Sequence, residues 1–288
     1  MSTTGTPPVV LASNQTHPST VAIDDQNVYW VNEGALGGVY KIPKAGGTPT
    51  PLFEGAMGPV ESLGLDSASV YFPIVTEPRI AAVPTAGGPI RTVASSGPTR
   101  GVAVSNGHVF WIEPTQDALS PSVAKKVQAT GGTTTMIDMP SNPRMRGAYF
   151  AVPGTDAIYA GIMAGGLVRI PLGGNKATSL AVGETGGVAV DGDHVYFATS
   201  DGIDVMPKTG GCPRHIATAE HPVGVAVDEA YVYFIDNGTK GRVLKVGKDG
   251  GALTILADNE GGAHAIAVDV TSVYWNNIPE GTIKKVAK

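Results

Sequence analysis

Charged residues are scarce in this chain of 288 residues, and only one residue is a cysteine. Charged side chains make up 16% of the sequence and the formal net charge is −5, so no basic surface is indicated for nucleic acid or an anionic membrane. Cys212 has no partner for an internal disulfide, and without a Cys-x-x-Cys spacing we expect an inert thiol. The sequence therefore argues against nucleic-acid binding, membrane association and disulfide stabilisation.

Long apolar runs are missing too. No stretch reaches the roughly 18 apolar residues of a membrane-spanning helix, and the first residues lack the basic start and apolar core of a signal peptide. We expect a soluble monomer, and the sequence indicates no compartment.

The common catalytic motifs are also absent. The chain has no Gly-x-Ser-x-Gly, no His-Glu-x-x-His, no phosphate-binding glycine loop and no EF-hand loop. A Ser-x-x-Lys match at 122–125 falls where a strand is expected, and we interpret it as accidental. The residues leave open whether the protein is an enzyme.

Glycine and proline, by contrast, are plentiful, with 39 and 22 residues. This composition favours many short strands joined by tight turns. An aromatic in a recurrent Val-Tyr-Trp/Phe-like element marks seven copies of one unit, at Tyr29, Tyr71, Phe110, Tyr159, Tyr196, Tyr233 and Tyr274. Successive copies are 37 to 49 residues apart, and the mean of about 41 is typical of the four-stranded blades of a propeller.

Each unit predicts four strands. In the first copy the segments STVAIDD, NVYWVNE, GGVYKIPKAGG and TPTPLFEG follow one another, and a Gly-Gly pair supplies the tight turn before the last. Five copies carry an aspartate five residues before the aromatic, at Asp24, Asp66, Asp191, Asp228 and Asp269. We interpret these carboxylates as turn-forming rather than catalytic, because a repeated turn needs one acid at one fixed offset.

The two ends of the chain predict how the ring closes. The last unit stops after its third strand, whereas residues 8–12 match the fourth strands of other units. We predict an all-β, seven-bladed β-propeller of four-stranded antiparallel blades, a single domain over 1–288, in which the N-terminal strand completes the last blade at about 265–287.

The whole chain resembles seven-bladed β-propellers of the class that includes NHL-like repeats and the streptogramin B (virginiamycin B) lyases. For those lyases the resemblance implies a histidine base at the channel mouth and acids that hold magnesium. His264 resembles the base and His221 resembles the substrate-contacting histidine. The acid expected two residues before the base is Gly262 here, and the region of Asn277 and Glu280 replaces the other. Magnesium prefers oxygen ligands, so this departure weakens the expectation of a magnesium site.

Candidate site residues lie on one predicted face of the ring. We call it the mouth face: the side on which the chain enters the innermost strands and the axial channel opens. Five residues before the aspartate position, the aligned copies carry Ser19, Glu61, Arg100, Gly186, Val223 and His264. Seven residues before it lie, among others, His17, Glu184 and His221, while Arg144, Arg146, Glu33 and Asn277 are the remaining candidates. Ionisable residues around a concave opening predict a binding site, and a merely solvated surface is the alternative.

Three functional hypotheses follow. The first is a binding module that recognises a small molecule, peptide or protein partner at the mouth, which requires no catalytic motif. The second is a magnesium-assisted lyase of the kind that the chain resembles. The third is a metal-dependent enzyme in which His17, His221 and His264, from three consecutive blades, hold zinc, copper or iron. In the catalytic hypotheses His264, His221 and Glu184 are the candidate catalytic residues, with Glu61 as an alternative acid-base partner.

Overall fold

Seven four-stranded antiparallel sheets form the blades of one ring, which confirms the predicted all-β, seven-bladed propeller. The computed structural model describes residues 6–113, 122–140, 148–154, 156–162, 166–174 and 176–288. Within these ranges no helix is long and apolar enough to cross a membrane.

The strands follow one another in chain order, four to a blade. The chain starts with β1 (Val9–Ala12), and blade 1 comprises β2 (Pro18–Ile23), β3 (Asn27–Asn32), β4 (Gly38–Pro43) and β5 (Thr50–Glu54). Blade 2 comprises β6 (Gly64–Leu65), β7 (Ser69–Ile74), β8 (Arg79–Pro84) and β9 (Arg91–Ser95). Blade 3 comprises β10 (Val102–Ser105), β11 (His108–Glu113), β12 (Val123–Gln128) and β13 (Thr135–Ile137). Blade 4 comprises β14 (Ala148–Pro153), β15 (Ala157–Ile162), β16 (Gly166–Pro171) and β17 (Thr178–Ala181).

The remaining blades complete the ring. Blade 5 comprises β18 (Val188–Val190), β19 (His194–Ala198), β20 (Gly202–Pro207) and β21 (Arg214–Thr218). Blade 6 comprises β22 (Pro222–Val227), β23 (Tyr231–Asp236), β24 (Arg242–Gly247) and β25 (Thr254–Asp258). Blade 7 comprises β26 (Ala263–Val268), β27 (Ser272–Asn277), β28 (Thr282–Ala287) and, at its outer edge, β1. Because β1 pairs antiparallel with β28, the first strand closes the last blade as predicted.

The first strand of each blade lies innermost, where neighbouring blades meet. The backbone N–H of Glu61 donates to the carbonyl of Arg100 at 2.6 Å, and that of Gly187 donates to Val223 at 2.6 Å. Side chains at the start of these strands therefore converge on the axial channel from several blades.

The core consists of apolar side chains packed between adjacent sheets. Trp30, Trp111 and Trp275 are each at most 2% exposed, as their alternation with the repeat aromatic predicts. At the hairpins before the outer strands, the first glycines of five Gly-Gly pairs have φ between 90° and 96°. Residues with a side chain rarely adopt this conformation, which accounts for the repeated glycine.

The repeated aspartates build the face opposite the mouth, which we call the turn face. In blade 5, Asp191 Oδ1 accepts hydrogen bonds from the backbone N–H groups of Asp193 and His194, and Oδ2 accepts one from the Tyr196 hydroxyl at 2.9 Å. The same three bonds recur around Asp24, Asp66, Asp228 and Asp269. The carboxylates are structural, as the fixed offset predicts.

Lysines link three of these turns to the following blade. The ammonium groups of Lys44, Lys248 and Lys288 pair with Asp269, Asp191 and Asp228, respectively. Burial opposes ionisation of Asp228, yet Lys288 and the backbone and tyrosine hydrogen bonds outweigh it and lower its pKa to about 2. This lysine position is Thr85 in blade 2, so the turn of Asp24 has no such lysine.

Candidate functional site at the mouth face

Several polar residues of the mouth face accept hydrogen bonds from the buried tryptophans. The indole N–H of Trp111 donates to Glu113 Oε1 at 2.7 Å, that of Trp30 to Asn32 Oδ1 at 3.1 Å, and that of Trp275 to Glu260 Oε2 at 3.0 Å. A buried indole N–H needs an acceptor, and these bonds satisfy that need. We therefore assign a structural role to these acceptors.

Glu260 anchors the largest of these buried networks, and the sequence did not point to it. Its carboxylate is buried and accepts hydrogen bonds from Lys284 Nζ at 2.9 Å and Asn277 Nδ2 at 3.2 Å. Burial alone would lower the pKa of Lys284, but bonds to Glu280 and Glu260 outweigh it and raise the pKa. Asn277, a predicted binding residue, is fully buried in this network rather than presented to solvent.

Three side chains from blades 2, 3 and 7 converge at the mouth, and none of them is the acceptor of a buried tryptophan N–H. Glu61 Oε2 lies 3.8 Å from His264 Nε2, and Glu61 Oε1 lies 4.0 Å from an Arg100 guanidinium nitrogen. The Arg100 side chain is 48% exposed, whereas that of Glu61 is 17% exposed. The aligned sequence copies placed these three residues at one register position, and the structure brings them together.

Blade 1 contributes Ser19 from the same register position. Its carbonyl oxygen accepts a hydrogen bond from His264 Nδ1 at 3.2 Å, because a carbonyl can only accept. Its hydroxyl is buried and has no hydrogen-bond partner in the described part of the chain. The sequence singled out this position, but the residue type alone gave no reason to select serine.

A second acid and histidine lie beside this group. His17 has a φ of 49°, in the left-handed region that residues with a side chain seldom adopt, and its Nδ1 lies 3.0 Å from Glu33 Oε2. Glu33 Oε1 accepts a hydrogen bond from the backbone N–H of Val60 at 3.1 Å. The imidazole of His17 is therefore engaged by Glu33.

Glu61 differs electrostatically from the acids that serve the core. Burial raises its pKa, the nearby His264 and Arg100 charges offset part of this effect, and the Glu33 charge adds to it. For Glu113, burial also opposes ionisation, but hydrogen bonds from Lys125, Trp111 and the Gly97 backbone outweigh it and lower the pKa. The difference lies in hydrogen bonds, because Glu61 lacks the donors that Glu113 has. We call Glu61, His264, Arg100 and Ser19 the mouth cluster.

Of the other predicted site residues, two are exposed and two lie outside the described ranges. His221 and Glu184 are exposed, and the backbone N–H of His221 donates to Asp236 Oδ1 at 2.9 Å. Arg144 and Arg146 lie outside the described residues.

No three histidine, cysteine, aspartate or glutamate side chains in the described ranges form a group that could hold a metal ion. The zinc, copper or iron site of His17, His221 and His264 therefore stays a prediction without support from this geometry.

The residues do not match the magnesium site implied by the resemblance. Gly262 offers no side chain, and the Glu280 carboxylate pairs with Lys284 at 2.6 Å. Asn277 is occupied by Glu260. These positions lack the free oxygen donors that magnesium prefers.

A cavity of about 1110 Å³ opens on the turn face between blades 5, 6 and 7. Its lining includes Asp191, Asp228 and Asp269, whose oxygens are already engaged by backbone N–H groups, tyrosine hydroxyls and lysines. This cavity is large, but its repeated acids have structural partners. Chemistry favours the mouth cluster instead, because no described residue donates a hydrogen bond to the Glu61 carboxylate.

The ring of blades around this mouth defines a seven-bladed β-propeller. Virginiamycin B lyase from Staphylococcus aureus is a structural neighbour, with a TM-score of 0.77 over 98% of both chains at 15% sequence identity. A catalytically inactive histidine-to-alanine variant of that lyase, solved with quinupristin, gives the same TM-score, identity and coverage. The WD40 propeller domain of Doa1 matches with a TM-score of 0.72 over 97% of this chain and 95% of that domain, at 13% identity.

At these identities the similarity establishes the fold alone. No protein-family model and no curated protein sequence matches the chain. The neighbours comprise a lyase and a WD40 domain, so the fold is compatible with both catalysis and binding.

Proposed function

We propose that this propeller is a binding module that recognises a small molecule, peptide or protein partner at its mouth face. The carrying observation is the mouth cluster, in which Glu61 lies 3.8 Å from His264 Nε2 and 4.0 Å from Arg100, so that ionisable side chains of three blades meet at one position. Glu113 and Glu260 on the same face, by contrast, accept hydrogen bonds from the buried indoles of Trp111 and Trp275. Polar groups that converge at the predicted opening of an axial channel are typical of a recognition site.

A ligand screen with matched variants tests this proposal. Small molecules and peptides are titrated into the intact protein, and binding is followed by backbone amide NMR shifts. The triple variant Glu61→Ala, Arg100→Ala, Glu184→Ala should lose the ligands that perturb the mouth face. Asp25→Asn removes one exposed carboxylate from the turn face and should retain them. Ligands that bind the triple variant as tightly as the intact protein would contradict the proposal.

A second candidate is an enzyme that uses the same mouth for acid-base chemistry. Because His264 Nδ1 donates to Ser19, its Nε2 faces Glu61 either with a proton or with a lone pair. A histidine and a carboxyl group of raised pKa at one opening are suited to moving a proton to or from a substrate.

Quinupristin, the compound solved with the inactive lyase variant, is a direct probe of this candidate. Liquid chromatography with tandem mass spectrometry, after incubation with the intact protein and with His264→Ala, would report ring opening, because an elimination leaves the mass unchanged but alters retention and fragmentation. Opening by the intact protein alone would favour the enzyme, and an intact ring in both samples would argue against this lyase activity.

The metal-dependent form of this candidate rests on the sequence prediction. Zinc and copper titrations would compare the intact protein with His17→Ala, His221→Ala, His264→Ala. Equal affinities in the two proteins would end it.

A further inference from the structure

The Glu61 carboxylate has an unusual environment for a group that is 17% exposed. The neighbouring nitrogen atoms of His264 and Arg100 lie 3.8 Å and 4.0 Å from it, beyond hydrogen-bond distance. No other described residue donates a hydrogen bond to it, although its own backbone N–H is bonded to Arg100. Carboxylates removed from water normally collect several donors, as Glu260 and Glu113 do.

The reason is geometric and lies in the neighbouring side chains. The hydrogen bond from His264 Nδ1 to the Ser19 carbonyl holds the imidazole in a position where its Nε2 lies 3.8 Å from Glu61 Oε2. The Arg100 side chain is 48% exposed, and its guanidinium nitrogen stays 4.0 Å from Glu61. Glu33, the other acid nearby, is occupied by His17 and the Val60 N–H. Among the described residues, the Glu61 carboxylate is therefore an acceptor without a hydrogen-bond donor.

A second polar group at the same register position also lacks a partner. Ser19 as a whole is 4% exposed, and its hydroxyl has no hydrogen-bond partner in the described ranges. A buried hydroxyl without a partner is costly. Other buried polar atoms of the described ranges, among them Arg79 Nε and Ser96 Oγ, also lack a partner, so it is the Glu61 carboxylate that points to a ligand.

We infer, building on the proposed binding function, that the ligand carries a primary ammonium or guanidinium group that donates hydrogen bonds to Glu61. Cationic N–H donors form the strongest hydrogen bonds with a carboxylate, and a largely desolvated acceptor discriminates against ligands that lack a donor. A lysine or arginine side chain of a peptide supplies this chemistry. Burial also raises the pKa of Glu61, so the free site holds its proton more readily than an exposed glutamate.

The test uses three peptides of matched size, acetyl-Ala-Lys-Ala-amide, acetyl-Ala-Gln-Ala-amide and acetyl-Ala-Glu-Ala-amide. Each is titrated into the intact protein while backbone amide NMR shifts are followed. The lysine peptide should shift the amides of Ser19, Glu61 and Arg100 and bind about tenfold more tightly than the glutamine peptide. The glutamate peptide should be the weakest.

Two variants separate a ligand contact from a structural role. Glu61→Gln keeps the shape and should weaken the lysine peptide at least about fivefold, because the charge is lost. Arg100→Ala removes a competing cation and should strengthen it about threefold. Asp25→Asn on the turn face should change nothing. Weakening by both mouth variants would instead indicate disturbed packing and would overturn the inference.

The remaining outcomes also decide the matter. If the glutamine or glutamate peptide binds the mouth face as tightly, the inference is wrong and the proposed binding function stands. If none of the three peptides shifts the mouth face, or if the shifts centre on the turn-face cavity, the inference is overturned. The proposed function then depends on the broader ligand screen alone.

Discussion

Two carboxylates on opposite faces of this propeller, Asp228 and Glu61, differ in their hydrogen bonds and in the direction of their pKa shifts. On the turn face, Asp228 accepts two backbone hydrogen bonds, a tyrosine hydroxyl and a lysine, and its pKa falls to about 2 although burial opposes the shift. On the mouth face, Glu61 has no hydrogen-bond donor in the described ranges, and burial raises its pKa. The repeated acids stabilise the fold, whereas we propose that the unrepeated acid binds a ligand.

Not every acid of the mouth face follows this division, and Glu260 gives the largest expected effect. Glu260→Ala should lower the free energy of unfolding by about 3 kcal/mol, because it leaves buried Trp275 and Asn277 donors unpaired and deprives Lys284 of a partner. Glu280→Ala is the matched control, since Glu280 pairs with the same lysine but is 43% exposed. It should cost less than about 1 kcal/mol. Equal losses in urea unfolding would show that Glu260 is not a buried anchor.

Removing a repeated turn should have the next largest effect. Asp191→Ala eliminates the acceptors of two backbone N–H groups, the Tyr196 hydroxyl and Lys248, and should cost about 2 kcal/mol. Asp193 lies two residues further on and is exposed. Asp193→Ala should stay within about 0.5 kcal/mol of the intact protein in the same unfolding experiment. If both variants lose a similar amount of unfolding free energy, the repeated aspartate stabilises the fold no more than its exposed neighbour does.

Acid should weaken the turn face in a defined range. The folded-state pKa of Asp228 is about 2, below its ordinary pKa of 3.8, so its stabilising contribution is complete above pH 4 and disappears as the pH falls through 2. Asp228→Asn should therefore cost about 2 kcal/mol at neutral pH, with the difference from the intact protein shrinking between pH 4 and pH 2. Unfolding free energies measured across this range check the slope. A difference that does not change with pH would contradict the assigned pKa direction.

The repeat made the turn face largely predictable, whereas the mouth face required three-dimensional contacts. A fixed offset before each aromatic was enough to assign Asp24 and its equivalents to turns, and the same alignment placed Glu61, Arg100 and His264 at one register position. Lys284 lies opposite Trp275 on the neighbouring strand and donates a hydrogen bond to Glu260. The alignment could not reveal this arrangement, because it depends on strand register and burial. Nor could it foresee that Glu33 engages His17, since a left-handed backbone directs that contact.

The lysine links between blades could not be read from one unit either. Lys44 pairs with Asp269 although the two residues are at opposite ends of the chain, because ring closure places blade 1 beside blade 7. Pairs across a blade boundary depend on ring order, which the repeat period alone does not supply. This explains why the aspartates were predicted and their lysines were not.

Adding a missing lysine link gives the smallest expected effect. Thr85 occupies in blade 2 the position of Lys44 in blade 1, next to the turn of Asp24 and Tyr29. Thr85→Lys should stabilise the fold by about 0.5 kcal/mol through a new partially exposed ion pair. Combining it with Asp24→Asn should abolish the gain. If the lysine stabilises equally in both backgrounds, as measured by urea unfolding, it does not act through Asp24.

The most direct measurement compares the unfolding free energies of Glu61→Gln and Asp228→Asn with that of the intact protein at pH 7. Glu61 is penalised by burial when ionised, so its folded-state contribution is most favourable below its ordinary pKa and is lost as the pH rises. Glu61→Gln should therefore stabilise the protein by about 0.5 kcal/mol at pH 7 and lose this advantage at acid pH, whereas Asp228→Asn should destabilise it. Opposite signs are the predicted result. Destabilisation of similar size by both variants would contradict the division between a structural turn face and a ligand-directed mouth face.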